Sequence, residues 1–342
     1  MKVGYSCWGF LGAGVLDTPD GGRSWRRTLL DALADQHRIM LLQANRDLDE
    51  AGEDLTGTYT WDQGLPPLDA LFLEWRWPLP GRNTTDCGTP GHTCDLHRQQ
   101  QLLDHYTLKQ GIPTIIWDTD HTLAPDDPLR HHPAVTVCEL AFHPRPGTHT
   151  LLCPVADHDL DQADPHQLAA RTRDLDLVYV GNQYGRDDAF SRYFAPAAAR
   201  HSHQVAGKWT STAAWPHVNF TGRIAHPEGR RLHERALTTV LLLPPRYAAA
   251  GAVSQRLFES VLAGCLPLGP GDARSIEVFV PPPLIVEDGR HASDLITHLW
   301  SLTPERHAEL LQSCLSRLDL FRASRQVATV NRLLAISPPP LC

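Results

Sequence analysis

Lysine is nearly missing from this chain: Lys2, Lys109 and Lys208 are the three among 342 residues, and arginine carries the rest of the positive charge. With abundant Pro and Ala, that scarcity fits a GC-rich coding sequence rather than a function. Net charge is −8, so a polyanion-binding surface is not implied, although a local basic groove is permitted. No stretch approaches the ~18 uninterrupted apolar residues of a spanning helix, and no membrane span is expected. Met1-Lys2-Val3-Gly4-Tyr5 shows no charged-then-apolar leader. The eight cysteines are scattered except for Cys87 and Cys94, which argues against a disulfide framework and for a reducing cytoplasm. No solenoid-period repeat is present.

What is there reads as a globular chain. Hydrophobic content is 42% and charged content 20%, too apolar for disorder, and the length suits two domains at roughly 150 residues each. Short apolar runs alternate with amphipathic stretches. Strands are expected at Lys2–Ser6, Ile39–Gln43, Asp69–Leu73, Pro113–Trp117 and Val135–Cys138, with helices from about Ser24 and over Asp95–Gln110. A polar, acidic stretch then separates a second series, with strands at Leu175–Val180, Gln204–Gly207, Val218–Phe220 and Thr239–Leu243. Helices are expected at Asp187–Arg200, Gln255–Ala263 and His291–Leu302, followed by a helical tract over Pro304–Leu334. Strand–helix–strand rhythm implies parallel sheets with crossover helices. The expected organisation is an N-terminal domain over 1–158, a linker over 159–173 and a second domain over 174–321. The tail 322–342 is expected to return toward the first domain. Two such units suggest two Rossmann-like α/β domains facing each other across a cleft, with ligands at the carboxyl ends of the strands.

In the second half, Leu177-Val178-Tyr179-Val180 runs into Gly181-Asn182, where a glycine turn lets backbone approach a ligand, and Asn182 and Arg186 are candidate phosphate contacts. The alternative is an ordinary strand–turn–helix corner. At Ser254-Gln255-Arg256-Leu257-Phe258-Glu259, Arg256 and Glu259 lie three apart at a helix start. Exposed backbone N–H groups and Arg256 suit a diphosphate, while Glu259 suits two ribose hydroxyls.

The segment Val253–Cys265 resembles the donor-site segment of GT-B glycosyltransferases. It is most similar to the glycosyltransferase-1-like group that contains the spore-maturation (CgeB-type) proteins. Val178–Asn182, Val205-Ala206-Gly207-Lys208-Trp209 and Val218-Asn219-Phe220-Thr221-Gly222-Arg223 resemble the same group, in the same order. The resemblance implies a GT-B fold and a glycosyltransferase using a nucleoside-diphosphate sugar. It places Glu259 on the donor ribose, Lys208 and Arg256 on the diphosphate, and Gly222 and Arg223 in the donor site. Gly251 stands where many retaining members carry an acid, so neither retention nor a particular sugar is implied. A nucleotide-sugar 2-epimerase and a non-catalytic nucleotide-sugar-binding or structural protein are the other readings of the same fold. The expected acceptor is a small metabolite or a hydroxymethylated base of phage-type DNA.

In the first half, candidate bases stand after strands. Asp118 and Asp120 belong to Asp118-Thr119-Asp120-His121, Glu74 ends another strand, and Asp17 and Asp20 lie in the loop Asp17–Arg23. The alternatives are turn acids and helix caps. D-x-D suggests a divalent metal in other folds, whereas GT-B enzymes usually hold the diphosphate with basic side chains, so no catalytic metal is expected. Cys87, His92, Cys94 and His97 follow C-x4-H-x-C-x2-H spacing, which suits a closed, structural zinc site. A local Cys87–Cys94 disulfide or free thiols are the alternatives.

Overall fold

The computed structural model describes residues 1–12 and 22–336, so Asp17 and Asp20 lie outside the described residues. The first sheet contains β1 (Lys2–Ser6), β2 (Arg38–Leu41), β3 (Ala70–Glu74), β4 (Thr114–Asp118), β5 (Val135–Glu139) and β6 (His149–Thr150), ordered β2-β1-β3-β4-β5-β6. The second contains β7 (Leu175–Val180), β8 (His203–Ala206), β9 (Phe220–Gly222), β10 (Ala236–Val240), β11 (Leu266–Pro270) and β12 (Ile285–Val286), ordered β12-β11-β10-β7-β8-β9. Paired neighbours run parallel throughout.

Both sheets are covered on both faces, which is why their strands read as continuous apolar runs. On β3, Ala70 and Phe72 enter one core cluster while Leu71 and Leu73 enter another. On β7, Leu177 and Tyr179 face one way and Val178 the other. The strand order reverses between β1 and β3 in the first sheet and between β7 and β10 in the second. Crevices open at such switch points beyond the carboxyl ends of the strands. Glu74 and Gly181 therefore stand at the two crevices, and the fold is α/β of the two-sheet Rossmann-like kind.

Several boundaries differ from those expected. The strand expected at Thr239–Leu243 is Ala236–Val240. Its Thr238 and Thr239 are fully buried, with hydroxyls donating to Asp176 O at 2.7 Å and Val178 O at 2.8 Å. Hydrogen bonding lets polar residues sit where an apolarity cue rejects them. The strand expected at Val218–Phe220 begins at Phe220. The helical tract expected over Pro304–Leu334 breaks into Pro304–Leu318 and Ala323–Ile336. Between them lies a short 3-10 turn at Asp319–Phe321, after which Arg322 leaves the helical region, its guanidinium held by Asp319 at 2.6 Å and Asp161 at 2.7 Å. The acidic stretch before β7 holds short helices at Asp157–Gln162 and Pro165–Ala169.

The last helix crosses to the first sheet's layer. Gln326 Oε1 accepts from Leu152 N at 3.0 Å, and Asn331 pairs with His37 at 2.7 Å.

Candidate active site

A cleft of about 1290 Å3 lies between the two sheets, lined by residues from both strand-end crevices. On the second sheet's side it is built around Arg256, which is 8% exposed. Arg256 Nε donates to Val180 O at 2.5 Å, Nη1 donates to Ser254 Oγ at 3.0 Å, and the guanidinium lies 5.1 Å from the Tyr179 ring centroid. No carboxylate among the described residues forms an ion pair with it. Burial pushes its pKa down, as expected for a cation removed from water without a full counter-charge. The chain makes room for this side chain with glycine: a Cβ at Gly181 would stand 2.2 Å from Arg256 Nη2, and one at Gly207 would stand 2.1 Å from Gly181 O.

The neighbouring candidates divide into those that face the cleft and those that hold its loops. Lys208 is exposed on the cleft wall, and Arg223, Gln255 and Glu259 also line it. Asn182 lines it too, but its Oδ1 accepts from Lys208 N at 2.8 Å and ties the two loops together. Arg186 is committed to carbonyls, donating to Tyr184 O at 2.8 Å, Asn182 O at 3.2 Å and Leu242 O at 3.2 Å. Its main work is to set the loop. Gly222 is off the cleft and accepts from Gly207 N at 2.7 Å. Glu259 accepts a hydrogen bond from Ser24 Oγ, a contact that joins the two sides of the cleft. Gly251 has φ +61, and a Cβ there would meet Arg274 O at 3.1 Å. A left-handed turn packed this closely disfavours any larger side chain at this position.

On the first sheet's side the candidate bases separate. Asp118 is fully buried and points away from the cleft: its carboxylate accepts from Leu123 N at 2.8 Å and Thr122 N at 2.9 Å. That corrects its reading as a cleft carboxylate, because Asp118 organises its own loop. The D-x-D pair therefore does not converge on one point. Glu74 lines the cleft, but Arg26 grips both its oxygens at 2.7 Å and Tyr5 OH donates to Oε1 at 2.5 Å. Asp120 is half-buried and lines the cleft, with Oδ1 accepting from Arg246 Nη2 and Tyr247 OH, each at 3.2 Å.

Cys153 also lines the cleft. It is buried, and its thiol is pushed up first by burial and then by the carboxylates of Glu74, Asp120 and Glu259. These three carboxylates, from distant parts of the chain, line the same cleft as Cys153. Other cleft residues carried little sequence signal. Arg26 and Ser24 precede or open a helix, and Arg246 and Tyr247 follow β10 once that strand is placed correctly. His233 sits on the helix His226–Glu234, whose Leu232 alone marks an apolar face. It is 1% exposed, neither ring nitrogen has a partner, and burial with Arg256 nearby pushes it down to about 4. It is therefore neutral at pH 7.

Cys87, His92, Cys94 and His97 do come together, each placing one ligand atom within 4.8 Å of the others. No disulfide joins the two cysteines. Among the described residues this is the one such group.

Two Rossmann-like sheets with a cleft between their crevices define the GT-B architecture. No protein-family model and no curated protein matches the sequence. Solved structures do match in shape over nearly the whole chain. The phage T4 β-glucosyltransferase bound to UDP-glucose superposes with TM-score 0.65 and 11% identity, covering 98% of this chain and 100% of that one. The same T4 enzyme with UDP and Mn2+ gives 0.66 at 12% identity. AviGT4, a glycosyltransferase of avilamycin A biosynthesis, gives 0.56 at 13% identity over 98% and 97% of the two chains. Anabaena HepE with UDP-glucose gives 0.55 at 10% identity over 98% and 99%. The chain has the GT-B fold of these glycosyltransferases. Among the described residues, no helix is long and apolar enough to cross a membrane.

Proposed function

We propose that this protein is a glycosyltransferase that moves a sugar from a nucleoside-diphosphate sugar, with UDP-glucose as the first candidate donor, to an acceptor hydroxyl. The observation that carries this reading is Arg256, a buried guanidinium with no carboxylate partner at the edge of an open cleft. A buried cation of this kind is costly until an anion arrives. A diphosphate supplies that charge, with Lys208 and Arg223 on the same wall. The resemblance to the CgeB-type group supports the same assignment and gives Glu259 to the ribose hydroxyls, with Ser24 as its partner until donor binds. We take 1–158 as the acceptor-side domain, 159–173 as its connection, 174–321 as the donor domain and 322–342 as the returning tail. The free thiols fit a cytoplasmic setting.

Asp120 is the base in this reading. It takes the acceptor proton as the hydroxyl attacks the anomeric carbon and the nucleoside diphosphate leaves. Stabilising the leaving diphosphate is the largest electrostatic contribution. Glu74 is left to position Arg26 and the crevice floor.

For the acceptor we favour a hydroxymethylated base in DNA. The chain is acidic overall at −8, yet among the described residues that line the cleft Arg and Lys outnumber Asp and Glu, a local field suited to a polyanion. Trp8 and Trp75 line the cleft with buried indole N–H groups lacking partners, and Trp77 adds a third aromatic face for a base. The test is incubation with UDP-glucose and duplexes carrying hydroxymethylated or plain cytosine, followed by digestion and mass analysis of the nucleosides. A hexose on the hydroxymethylated base alone is expected. Transfer to small hydroxyl compounds but not DNA would replace this acceptor with a metabolite. Isomerised donor without acceptor would indicate an epimerase, and tight donor binding without chemistry a non-catalytic protein.

A further inference from the structure

The Cys/His group stands apart from the donor half, and transfer chemistry gives it no role. Cys87 Sγ lies 3.1 Å from His97 Nδ1 and 3.9 Å from Cys94 Sγ. Nitrogen and sulfur ligands at ~2.0–2.3 Å from a tetrahedral ion sit roughly 3.3–3.8 Å from each other; these two contacts are close to that spacing, and all four ligand atoms lie within 4.8 Å of one another. His92 supplies an independent sign. Its Nδ1 pairs with Thr85 Oγ1 at 3.0 Å, while its Nε2 is buried with no partner. One ring nitrogen fixed by a neighbour and the other left bare is how a metal-binding imidazole is oriented.

We infer that Cys87, His92, Cys94 and His97 bind one structural zinc ion, which fixes the loop forming the first-domain wall of the cleft. Two sulfur and two imidazole ligands favour zinc over the hard cations. Four protein ligands leave no open position, so the ion shapes the protein and does not touch substrate. The segment between Trp75 and Cys94 contains no helix or strand, and the metal provides the cross-link that regular structure does not.

The knuckle connects directly to the cleft. His92 and Thr93 line it. Thr93 N donates to Arg82 O at 2.9 Å, and Thr93 Oγ1 donates to Asp95 at 3.0 Å. Asp95 is 3% exposed and accepts from Arg76 Nε at 2.9 Å and Asn83 Nδ2 at 3.3 Å. Arg76 and Arg82, both on the cleft wall, are thus placed by the residues that wrap the ion. Calling this wall the acceptor side rests on the transfer reading, whereas the zinc assignment does not.

Metal content separates the two. The full chain, made without a histidine tag and purified without chelator, should carry about one zinc. The Cys87→Ser/Cys94→Ser double variant should carry almost none. Cobalt(II) in place of zinc should give a thiolate-to-cobalt charge-transfer band that the double variant lacks. Stripping zinc should remove hydrogen-exchange protection across residues 77–97 while UDP-glucose affinity stays within about twofold, because the donor half lies elsewhere. Wild-type protein from zinc-supplemented cells with less than ~0.2 zinc per chain and no cobalt band overturns the site. Zinc retained by the double variant overturns these ligands, and unchanged exchange overturns the wall. If the double variant does not fold, the wild-type zinc content and cobalt spectrum decide.

Discussion

Arg256→Met should lose donor affinity by ~100-fold or more while the ligand-free protein becomes no less stable. The affinity loss follows from one or two charge-assisted hydrogen bonds to phosphate, about 1.5–3 kcal/mol each. The stability half is less intuitive. Arg256 is buried, its guanidinium has no carboxylate partner, and burial already works against its charge. Replacing such a group with an apolar side chain of similar length removes a desolvation cost of the kind that often exceeds the attraction recovered. Against that stands the loss of charge-assisted hydrogen bonds to Val180 O and Ser254 Oγ, about 1.5–3 kcal/mol each, which the several kcal/mol of recovered desolvation offsets. Calorimetric titration with UDP-glucose and a melt of the ligand-free variant read the two halves separately. A variant that melts much earlier yet binds UDP-glucose like wild type would make Arg256 a structural residue.

Asp120→Asn should lower kcat by ~10²–10⁴-fold, the usual contribution of a general base, with donor affinity unchanged. The amide keeps the shape of the side chain and can keep its contacts to Arg246 and Tyr247, but it cannot take a proton. Glu74→Gln should behave differently. Glu74 is 7% exposed and pairs with Arg26, itself 3% exposed, so removing the charge from one side of this buried pair costs about 3–5 kcal/mol of stability. Single-turnover kinetics with a hydroxyl acceptor, together with melts of both variants, distinguish the base from the structural carboxylate. If Glu74→Gln lost the chemistry without losing stability, and Asp120→Asn kept it, the roles would be exchanged.

The fold was legible because strands buried on both faces are spelled as short apolar runs, and β1, β4, β5 and β7 fall close to those runs. β10 was misplaced because Thr238 and Thr239 satisfy their hydroxyls on the neighbouring strand, information held by another segment. The helix His226–Glu234 went unseen because its buried side is made of Gly229, Leu232 and His233, which is no apolar stripe. The site was legible as a set of strand ends and less so as a set of roles. Asp118 and Asp120 are two residues apart and look equivalent in the sequence. In space one closes a turn and the other faces the cleft. Arg186 and Asn182 resemble phosphate ligands and line the cleft, yet the Arg186 guanidinium and Asn182 Oδ1 also hold the loops together. The contacts that decide such roles, Arg26 with Glu74 and Ser24 with Glu259, join residues 48 and 235 positions apart. No local pattern encodes them.

The central claim is that this cleft holds a nucleoside-diphosphate sugar. Its most direct test is a thermal-shift titration of the wild-type chain with UDP-, GDP- and dTDP-sugars. At 100 times Kd the right donor stabilises by ~2.7 kcal/mol, a rise of several degrees in Tm, and UDP-glucose is expected to give it. No shift with any of these sugars at millimolar concentration would contradict the account.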